Sequence, residues 1–234
     1  MDDRRKQFLA GVRAGLPIVL GYVPIGIAYA IIARQAGFTT TETVLMSLMV
    51  YGGASQMMAA GMLSQGAGFA AIVLATFVLN LRHLIMSLCV NNRIPSAKTG
   101  WRLLGAHWIT DESFALFTTT AQERCTVWYF LGMGGAAYFA WALSSLLGAL
   151  AMDLLPELLA ASLGIALYAM FIALLLPHVR GNGRLGVLVL LTALGNALLG
   201  KLMPSSWALI ASTLLGALAG VFFVPLGEEA ADAA

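Results

Sequence analysis

Apolar residues run along almost the whole chain in long stretches that are separated by short polar connections. The stretches lie at about residues 9–34, 44–63, 67–90, 101–121, 127–152, 158–177, 185–200 and 206–224. A helix needs about 20 largely apolar residues to cross the hydrocarbon core of a bilayer. The pattern therefore predicts an all-α fold, a polytopic integral membrane helix bundle with about six to eight membrane segments.

The second stretch is interrupted in its middle, where it reads "SLMVYGGASQMMAAGML". Backbone that leaves the helix at membrane depth must be buried in protein or line a wet cavity, because lipid offers no hydrogen bonds. This pattern predicts a broken or re-entrant helix whose polar residues face a ligand. The candidate substrate-binding residues in this stretch are Ser47, Gly52, Gly53, Ser55 and Gln56.

Close helix packing is the alternative explanation for a glycine-rich segment, since small residues let two helices approach each other. It is our interpretation of Gly11-x-x-x-Gly15 in the first stretch and of Gly216-x-x-x-Gly220 in the last.

The third stretch carries three polar residues in the sequence "FVLNLRHLIMSLC". Polar groups inside the bilayer are costly unless they face a cavity or a partner. Asn80 is therefore a further candidate substrate-binding residue, and we predict that Asn80 and Gln56 face a shared aqueous cavity. Arg82 and His83 are candidates for proton coupling or ion pairing. The alternative for Arg82 is that its side chain reaches up to the lipid phosphates.

The fourth stretch is also interrupted, in the sequence "LLGAHWITDESFALF". His107 and Asp111 are four residues apart, so that they would share one face of a continuous helix. A carboxylate that is removed from water can exchange a proton in the working pH range. We therefore predict that His107, Asp111 and Glu112 serve proton coupling or ion pairing. The alternative is that Thr110 or Asp111 caps a helix that begins here, with Ser113 in its first turn.

Composition supports a membrane protein and excludes some partners. The chain has 234 residues, of which 60% are hydrophobic and 10% charged, and its mean hydropathy is +0.86. Soluble domains have about 25% charged residues. The formal net charge is +2 without basic stripes, which argues against nucleic acid as a partner. We expect no metal or cofactor, because Cys89 and Cys125 match no metal-binding spacing.

Basic residues in the short connections predict the topology. Basic residues in short connections favour the cytoplasm. All of the basic connections lie there if the two interrupted stretches do not cross the membrane. This arrangement has six crossings and places both termini in the cytoplasm. Residues 1–10 then form a cytoplasmic N-terminus, 11–225 a single transmembrane transporter domain and 226–234 a C-terminal tail. Arg13 splits the first apolar stretch, so we interpret it as a membrane helix and not as a cleaved signal peptide.

These segments resemble the AzlC family, the large subunits of two-component exporters of branched-chain amino acids. The resemblance rests on "YGGASQ", "NLRH", "TDESFAL" and "YAMFIALLLP", and it covers essentially the whole chain. It implies a multi-pass protein of the cell inner membrane that exports valine, leucine, isoleucine or methionine by proton antiport. It also implies a small AzlD-type membrane subunit as partner. The motif positions are Ser47, Gly52, Gln56, Asn80, Arg82, His83, Asp111 and Glu112.

Two other classes of function remain as alternatives to a transporter. An intramembrane enzyme would use Ser55 as nucleophile, with His83 or His107 as base and Asp111 as its partner. A membrane scaffold without transport activity would have no need for buried polar pairs. The sequence contains no GxxxxGK[ST] loop for binding nucleotide phosphates. We therefore expect transport and no enzymatic activity.

Overall fold

The structure is a computed structural model that describes residues 3–94, 97–152 and 179–223, together with residues 172, 175 and 176. This part of the chain contains nine α-helices, a short 3₁₀ helix and no strand. The helices are α1 (Asp3–Gln35), α2 (Thr40–Met49), α3 (Gly53–Ser64), α4 (Phe69–Arg93), α5 (Thr99–His107), α6 (Asp111–Thr118), the 3₁₀ helix Gln122–Arg124, α7 (Val127–Ala151), α8 (Gly183–Leu199) and α9 (Ser205–Phe223). The predicted all-α fold is confirmed. Most of the predicted segment 158–177 and the tail 226–234 lie outside the described residues.

Three of these helices, α1, α4 and α7, are long and apolar enough to cross a membrane. Two more apolar helices are shorter, namely Gly183–Leu199 and the part Trp207–Phe223 of α9. The chain is therefore a membrane protein. The number of crossings and the side on which each terminus lies stay predictions.

Both interrupted stretches are broken helices, as predicted. The second stretch forms α2 and α3, with a break between Met49 and Gly53. The fourth forms α5 and α6, with a break between His107 and Asp111. Each break coincides with the residues that interrupt the apolar pattern, because glycines, Ser and Thr offer the backbone conformations and hydrogen bonds that end one helix and start the next.

The described residues divide into two compact units. The first comprises residues 3–66 and 76–152, and the second residues 67–75 and those from 172 to 223. In the first unit α1 packs along α7, and both helices also contact α2 and α6. A Cβ atom at Gly11 would overlap the carbonyl oxygen of Tyr129, and one at Gly132 would overlap that of Phe8. The prediction that the first glycine pair is a packing surface is thus confirmed.

Helix α1 continues without a break through Pro17 and Pro24, although these residues interrupt its apolar pattern. Both prolines are exposed, while the residues of the last turns, including Tyr29 and Ile31, are fully buried. Helices within membranes tolerate proline where neighbouring groups satisfy the freed backbone. Packing along α7 therefore decides the length of α1.

In the second unit α8 and α9 pack against each other. Gly216 lies against Thr192, and Gly220 lies against Leu188, so that this glycine pair is also a packing surface, as predicted. The Ser212 hydroxyl donates to the Asn196 side chain across the same contact, at 3.3 Å. The candidate residues for substrate and proton lie in the first unit.

Candidate functional site

The first helix break contains a residue in an unusual backbone conformation. Tyr51 has a φ of +45°, in the left-handed region that residues other than glycine rarely adopt, and its side chain is 2% exposed. A Cβ atom at Gly53 would lie 2.9 Å from the Trp141 ring, and one at Gly52 would lie 3.4 Å from Asn80 Oδ1. Gly53 thus lets a tryptophan of α7 approach the break, and Asn80 of α4 lies within van der Waals range of Gly52.

Gln56 is the centre of a buried hydrogen-bond network next to this break. Its Oε1 accepts from the Gly52 backbone N–H at 3.2 Å and from Trp141 Nε1 at 3.1 Å. Its Nε2 donates to Ser47 Oγ at 3.2 Å, and that hydroxyl donates to Ser145 Oγ at 2.8 Å. The side chains of Ser47 and Gln56 are completely buried. The network ties both halves of the broken helix to α7. All of these hydrogen-bond partners of Gln56 are protein groups.

Ser55 also turns towards the backbone of the break. Its Oγ donates to the Gly52 carbonyl oxygen at 2.8 Å, and the side chain is 1% exposed. This bond closes the first turn of α3, in which Gly52 occupies the N-cap position. A serine nucleophile would need a base that accepts its proton. In this geometry the proton of Ser55 is directed at a carbonyl group of the first turn.

The second helix break is capped as the sequence pattern "TDES" indicates. Thr110 is the N-cap of α6, and its side chain accepts from the Ser113 backbone N–H at 3.3 Å. Ser113 Oγ in turn accepts from the Thr110 N–H at 2.8 Å. The expectation that His107 and Asp111 share one helical face is wrong, because α5 ends at His107 and a new helix begins at Asp111.

The two acids of α6 have partners on other helices. Asp111 Oδ2 lies 2.9 Å from Arg82 Nη1 of α4, and the two side chains are 52% and 41% exposed. Glu112 Oε2 accepts a hydrogen bond from the Tyr22 hydroxyl of α1 at 2.7 Å. That hydroxyl also lies 2.8 Å from Thr110 Oγ1. One charge pair and one phenol therefore hold the start of α6 against α4 and α1.

The two helix breaks meet at the carbonyl oxygen of Leu48. This group belongs to the last turn of α2, where backbone carbonyls have no partner within the helix. It accepts from the Tyr138 hydroxyl at 2.7 Å and lies 3.1 Å from His107 Nε2 at the end of α5. The Tyr51 ring lies edge-on to Tyr138, with 4.9 Å between the centroids. We call residues 48–53 and 107–112 together the junction.

The polar part of α4 contacts both sides of the junction. Asn80 faces Gly52 of the first break, and Arg82 pairs with Asp111 beyond the second. His83 lies within hydrogen-bonding reach of the Ile109 backbone. The structure thus brings together Gly52, Asn80, Arg82, His83, His107, Asp111 and Glu112. It places Ser47, Ser55 and Gln56 on the buried side of the first break.

Sequence reasoning missed the aromatic residues at this site. Tyr22, Tyr51, Tyr138 and Trp141 form successive edge-on ring contacts, with centroid distances of 4.9–6.5 Å. In an apolar stretch such residues are typical of a packed core. The available signal was the concentration of tyrosines in the first, second and fifth stretches, since a tyrosine hydroxyl in a membrane helix needs a partner.

Comparisons with known proteins identify the family of the chain. The model of the AzlC protein family matches residues 17–155, which is more than half of the chain. The chain belongs to the AzlC family. The matched residues include both helix breaks and the polar part of α4.

Relatives in this family come from bacteria and archaea. The chain is 32% identical over 182 residues to an uncharacterized membrane protein of Archaeoglobus fulgidus, which covers 77% of this chain and 80% of that protein. It is 29% identical over 222 residues to the inner membrane protein YgaZ of Escherichia coli K12, with coverage of 90% and 88%. It is 28% identical over 120 residues to the branched-chain amino acid transport protein AzlC of Bacillus subtilis, with coverage of 49% and 46%. No solved structure matches the chain.

Proposed function

We propose that this AzlC-family protein is a secondary transporter that exports branched-chain amino acids, namely valine, leucine and isoleucine, and also methionine. Export is coupled to proton entry by antiport, and it requires a small AzlD-type membrane subunit. The protein acts in the cell inner membrane with both termini in the cytoplasm. Membership in the AzlC family and the printed name of the Bacillus subtilis relative support the transport role.

The observation that carries this proposal is the junction of two broken helices. Many transporters bind their substrates where helices are discontinuous, because the free backbone groups and helix ends face a cavity. Here the ends of α2 and α5 meet at the Leu48 carbonyl, and α3 and α6 begin next to them. The substrate therefore binds at the junction, next to Gly52, Gly53 and Asn80.

In this proposal the remaining polar residues of the first break hold its shape. Gln56 and Ser47 receive their hydrogen bonds from buried protein groups, and Ser55 closes the first turn of α3. Such a network fixes the backbone that the substrate meets. The aqueous cavity is predicted from the sequence to be shared by Gln56 and Asn80. Because Gln56 is completely buried among protein groups and Asn80 is half-buried, we now propose the cavity on the side of Asn80 alone.

The residues of the second break carry the proton. Asp111 is half-exposed and pairs with Arg82, so that protonation of this carboxyl group would release α6 from α4. Glu112 is held by Tyr22, a neutral partner. Protonation of Asp111 removes the charge that attracts Arg82, whereas the partner of Glu112 is an uncharged hydroxyl. We therefore assign the coupling proton to Asp111 in preference to Glu112, with His83 of α4 and His107 of the junction as its neighbours.

The test is efflux from membrane vesicles that contain the chain with its AzlD-type subunit. The vesicles are preloaded with labelled leucine, and efflux is measured at several pH values. Asp111→Asn should reduce gradient-driven efflux to background while exchange of leucine across the membrane continues, because the amide oxygen of asparagine can still accept from Arg82 and keep it in place for substrate binding. Glu123→Gln, an exposed acid on the 3₁₀ helix, is the matched control and should behave like the wild type.

Protein abundance separates coupling from folding in this experiment. A purely structural capping acid would lower the amount of protein in the membrane and leave the pH dependence of each molecule unchanged. If Asp111→Asn and Glu112→Gln both retain full pH-dependent efflux at normal abundance, the coupling role is wrong. If the wild type moves no amino acid, the transport function itself is wrong.

A further inference from the structure

Three polar atoms in the junction or in the part of α4 beside it are buried without a partner in hydrogen-bonding geometry among the residues that the structure describes. They are the Tyr51 hydroxyl, which has the Tyr22 hydroxyl nearby but outside hydrogen-bonding geometry, Asn80 Oδ1 and Arg82 Nε. An unpaired buried donor or acceptor costs free energy that a paired one does not. Buried polar groups in proteins nearly always have a partner. Three unpaired atoms in one region therefore indicate groups that bind something else.

Each of these atoms belongs to a residue beside a helix break. Tyr51 forms the first break itself, with its left-handed backbone and its 2% exposed side chain. Asn80 Oδ1 lies 3.4 Å from the position of a Cβ atom at Gly52. Arg82 uses Nη1 for Asp111, the first residue of α6, and this leaves its Nε–H without a partner. The three residues thus belong to the place where we propose that the substrate binds.

The chemistry of the three atoms matches the polar end of an α-amino acid. Arg82 Nε–H is a charged donor, the Tyr51 hydroxyl can donate as well, and Asn80 Oδ1 is an acceptor. An amino acid offers a carboxylate that accepts hydrogen bonds and an ammonium group that donates them. A guanidinium group binds carboxylates with a matching geometry. Asp111 at Nη1 holds the guanidinium in place and leaves its Nε side for a second carboxylate.

We propose that Arg82 and Tyr51 bind the α-carboxylate of the transported amino acid, and that Asn80 binds its α-ammonium group. This inference rests on the proposed transport function and names the residues that recognise the part common to all its substrates. Tyr51 enters as a binding residue that the sequence pattern did not indicate. The rings of Tyr22 and Tyr138 lie edge-on to the Tyr51 ring and hold it in position.

The test compares leucine with two analogues that each lack one charged group. Leucinamide has no carboxylate, and 4-methylpentanoate has no ammonium group. Each compound competes with labelled leucine for binding to the full chain, purified in detergent together with its AzlD-type subunit. For the wild type we expect both analogues to bind about 10- to 100-fold more weakly than leucine, the range of one hydrogen bond to a charged group.

The variants should remove this discrimination selectively. Arg82→Gln should weaken leucine binding about 10- to 100-fold and bring leucine and leucinamide to similar affinities, since the carboxylate has lost its charged donor. Tyr51→Phe should reduce the same preference only in part. Asn80→Leu should abolish the preference for leucine over 4-methylpentanoate and retain the preference over leucinamide. Arg5→Gln and Asn92→Leu, both at exposed positions, are the matched controls.

Arg82→Lys keeps the test decisive if Arg82→Gln does not fold. Lysine retains the charge for Asp111 but has no second donor edge, so that the preference for leucine over leucinamide should fall while the protein remains folded. A wild type that binds leucine, with an Arg82→Lys or Arg82→Gln variant that still discriminates against leucinamide, overturns this inference and leaves the transport function standing. A wild type that binds none of the proposed amino acids overturns both.

Discussion

The two helix breaks of the first unit are built from different chemistry. The first break, between α2 and α3, is closed by groups that are almost completely buried: Ser47, Ser55 and Gln56 have exposed fractions of 1% or less and bond to protein. The second break, between α5 and α6, is followed by Asp111 and Glu112, which are both exposed. The polar side chains that close the first break are neutral and buried, whereas the two acids that follow the second break are charged and exposed.

This difference suggests a division of labour between the two breaks. A buried network such as that of Ser47, Ser55 and Gln56, whose side chains bond to protein groups, fixes one backbone geometry. An accessible charge pair can be opened by a proton or a competing ion with a much smaller penalty, because water is near. The first break therefore acts as the fixed side of the junction, and the second break as the side that responds.

The largest expected effect concerns the sealed break. Gln56→Leu removes the amide that pairs with the Gly52 N–H, Trp141 Nε1 and Ser47 Oγ, and these groups stay buried. The loss should destabilise the protein by about 2–5 kcal/mol and strongly reduce its amount in the membrane. Gln65→Leu, at the exposed end of α3, is the control. Thermal unfolding in detergent measures the stability of the two variants. Equal unfolding temperatures for Gln56→Leu and Gln65→Leu would show that the network is dispensable.

A smaller effect should separate stability from transport at the two helix caps. Thr110 and Thr39 both form capping boxes, at the starts of α6 and α2. Replacement of either one by alanine should cost about 1 kcal/mol. Only Thr110→Ala should also slow leucine efflux for each protein molecule, because Thr110 lies in the junction. Similar efflux from both variants, corrected for protein amount, would remove the distinction between the two caps.

The smallest effect concerns Glu42, which lies outside the junction in the first turn of α2. The backbone N–H and the hydroxyl of Thr39 donate to its carboxylate and lower the pKa of Glu42 below the ordinary value of 4.5. A lowered pKa in the folded state contributes stability that is complete above the ordinary value and is lost as the pH falls through the folded value.

Glu42→Gln should therefore lower the unfolding temperature slightly at neutral pH. The difference from the wild type should shrink as the pH falls from 7 to below 4.5. Transport should not change at any pH, in contrast to Asp111→Asn. A difference in unfolding temperature that stays constant across this pH range would contradict the assigned hydrogen bonds.

Much of the architecture follows from the linear pattern of residues. An apolar stretch of about 20 residues is long enough to cross the lipid as a helix. A helix suits this environment because it pairs its own backbone N–H and C=O groups. The polar clusters around Gly52 and Thr110 predicted both breaks, because burying such residues in an uninterrupted membrane helix costs free energy. Two of the four segments that carry the resemblance to the AzlC family, "YGGASQ" and "TDESFAL", lie at the same two places.

Side-chain partners across the breaks depended on the tertiary structure. The spacing between His107 and Asp111 predicts a pair only if the helix is continuous, and the break at Thr110 sends Asp111 to Arg82 and His107 to the Leu48 carbonyl. Residues four apart share a face only within one continuous helix. Where the helix ends, the spacing in the sequence no longer predicts which side chains meet.

The sequence by itself thus determined that the chain is a helical membrane protein with two polar interruptions. Only the tertiary structure decided that these interruptions meet, that Gln56 is sealed among Ser47 and Trp141, and that Tyr51 belongs to the site. The physical reason is that hydropathy reports how each residue interacts with its solvent. Which polar atoms find a partner, and which stay free for a ligand, depends on contacts between helices that are far apart in the chain.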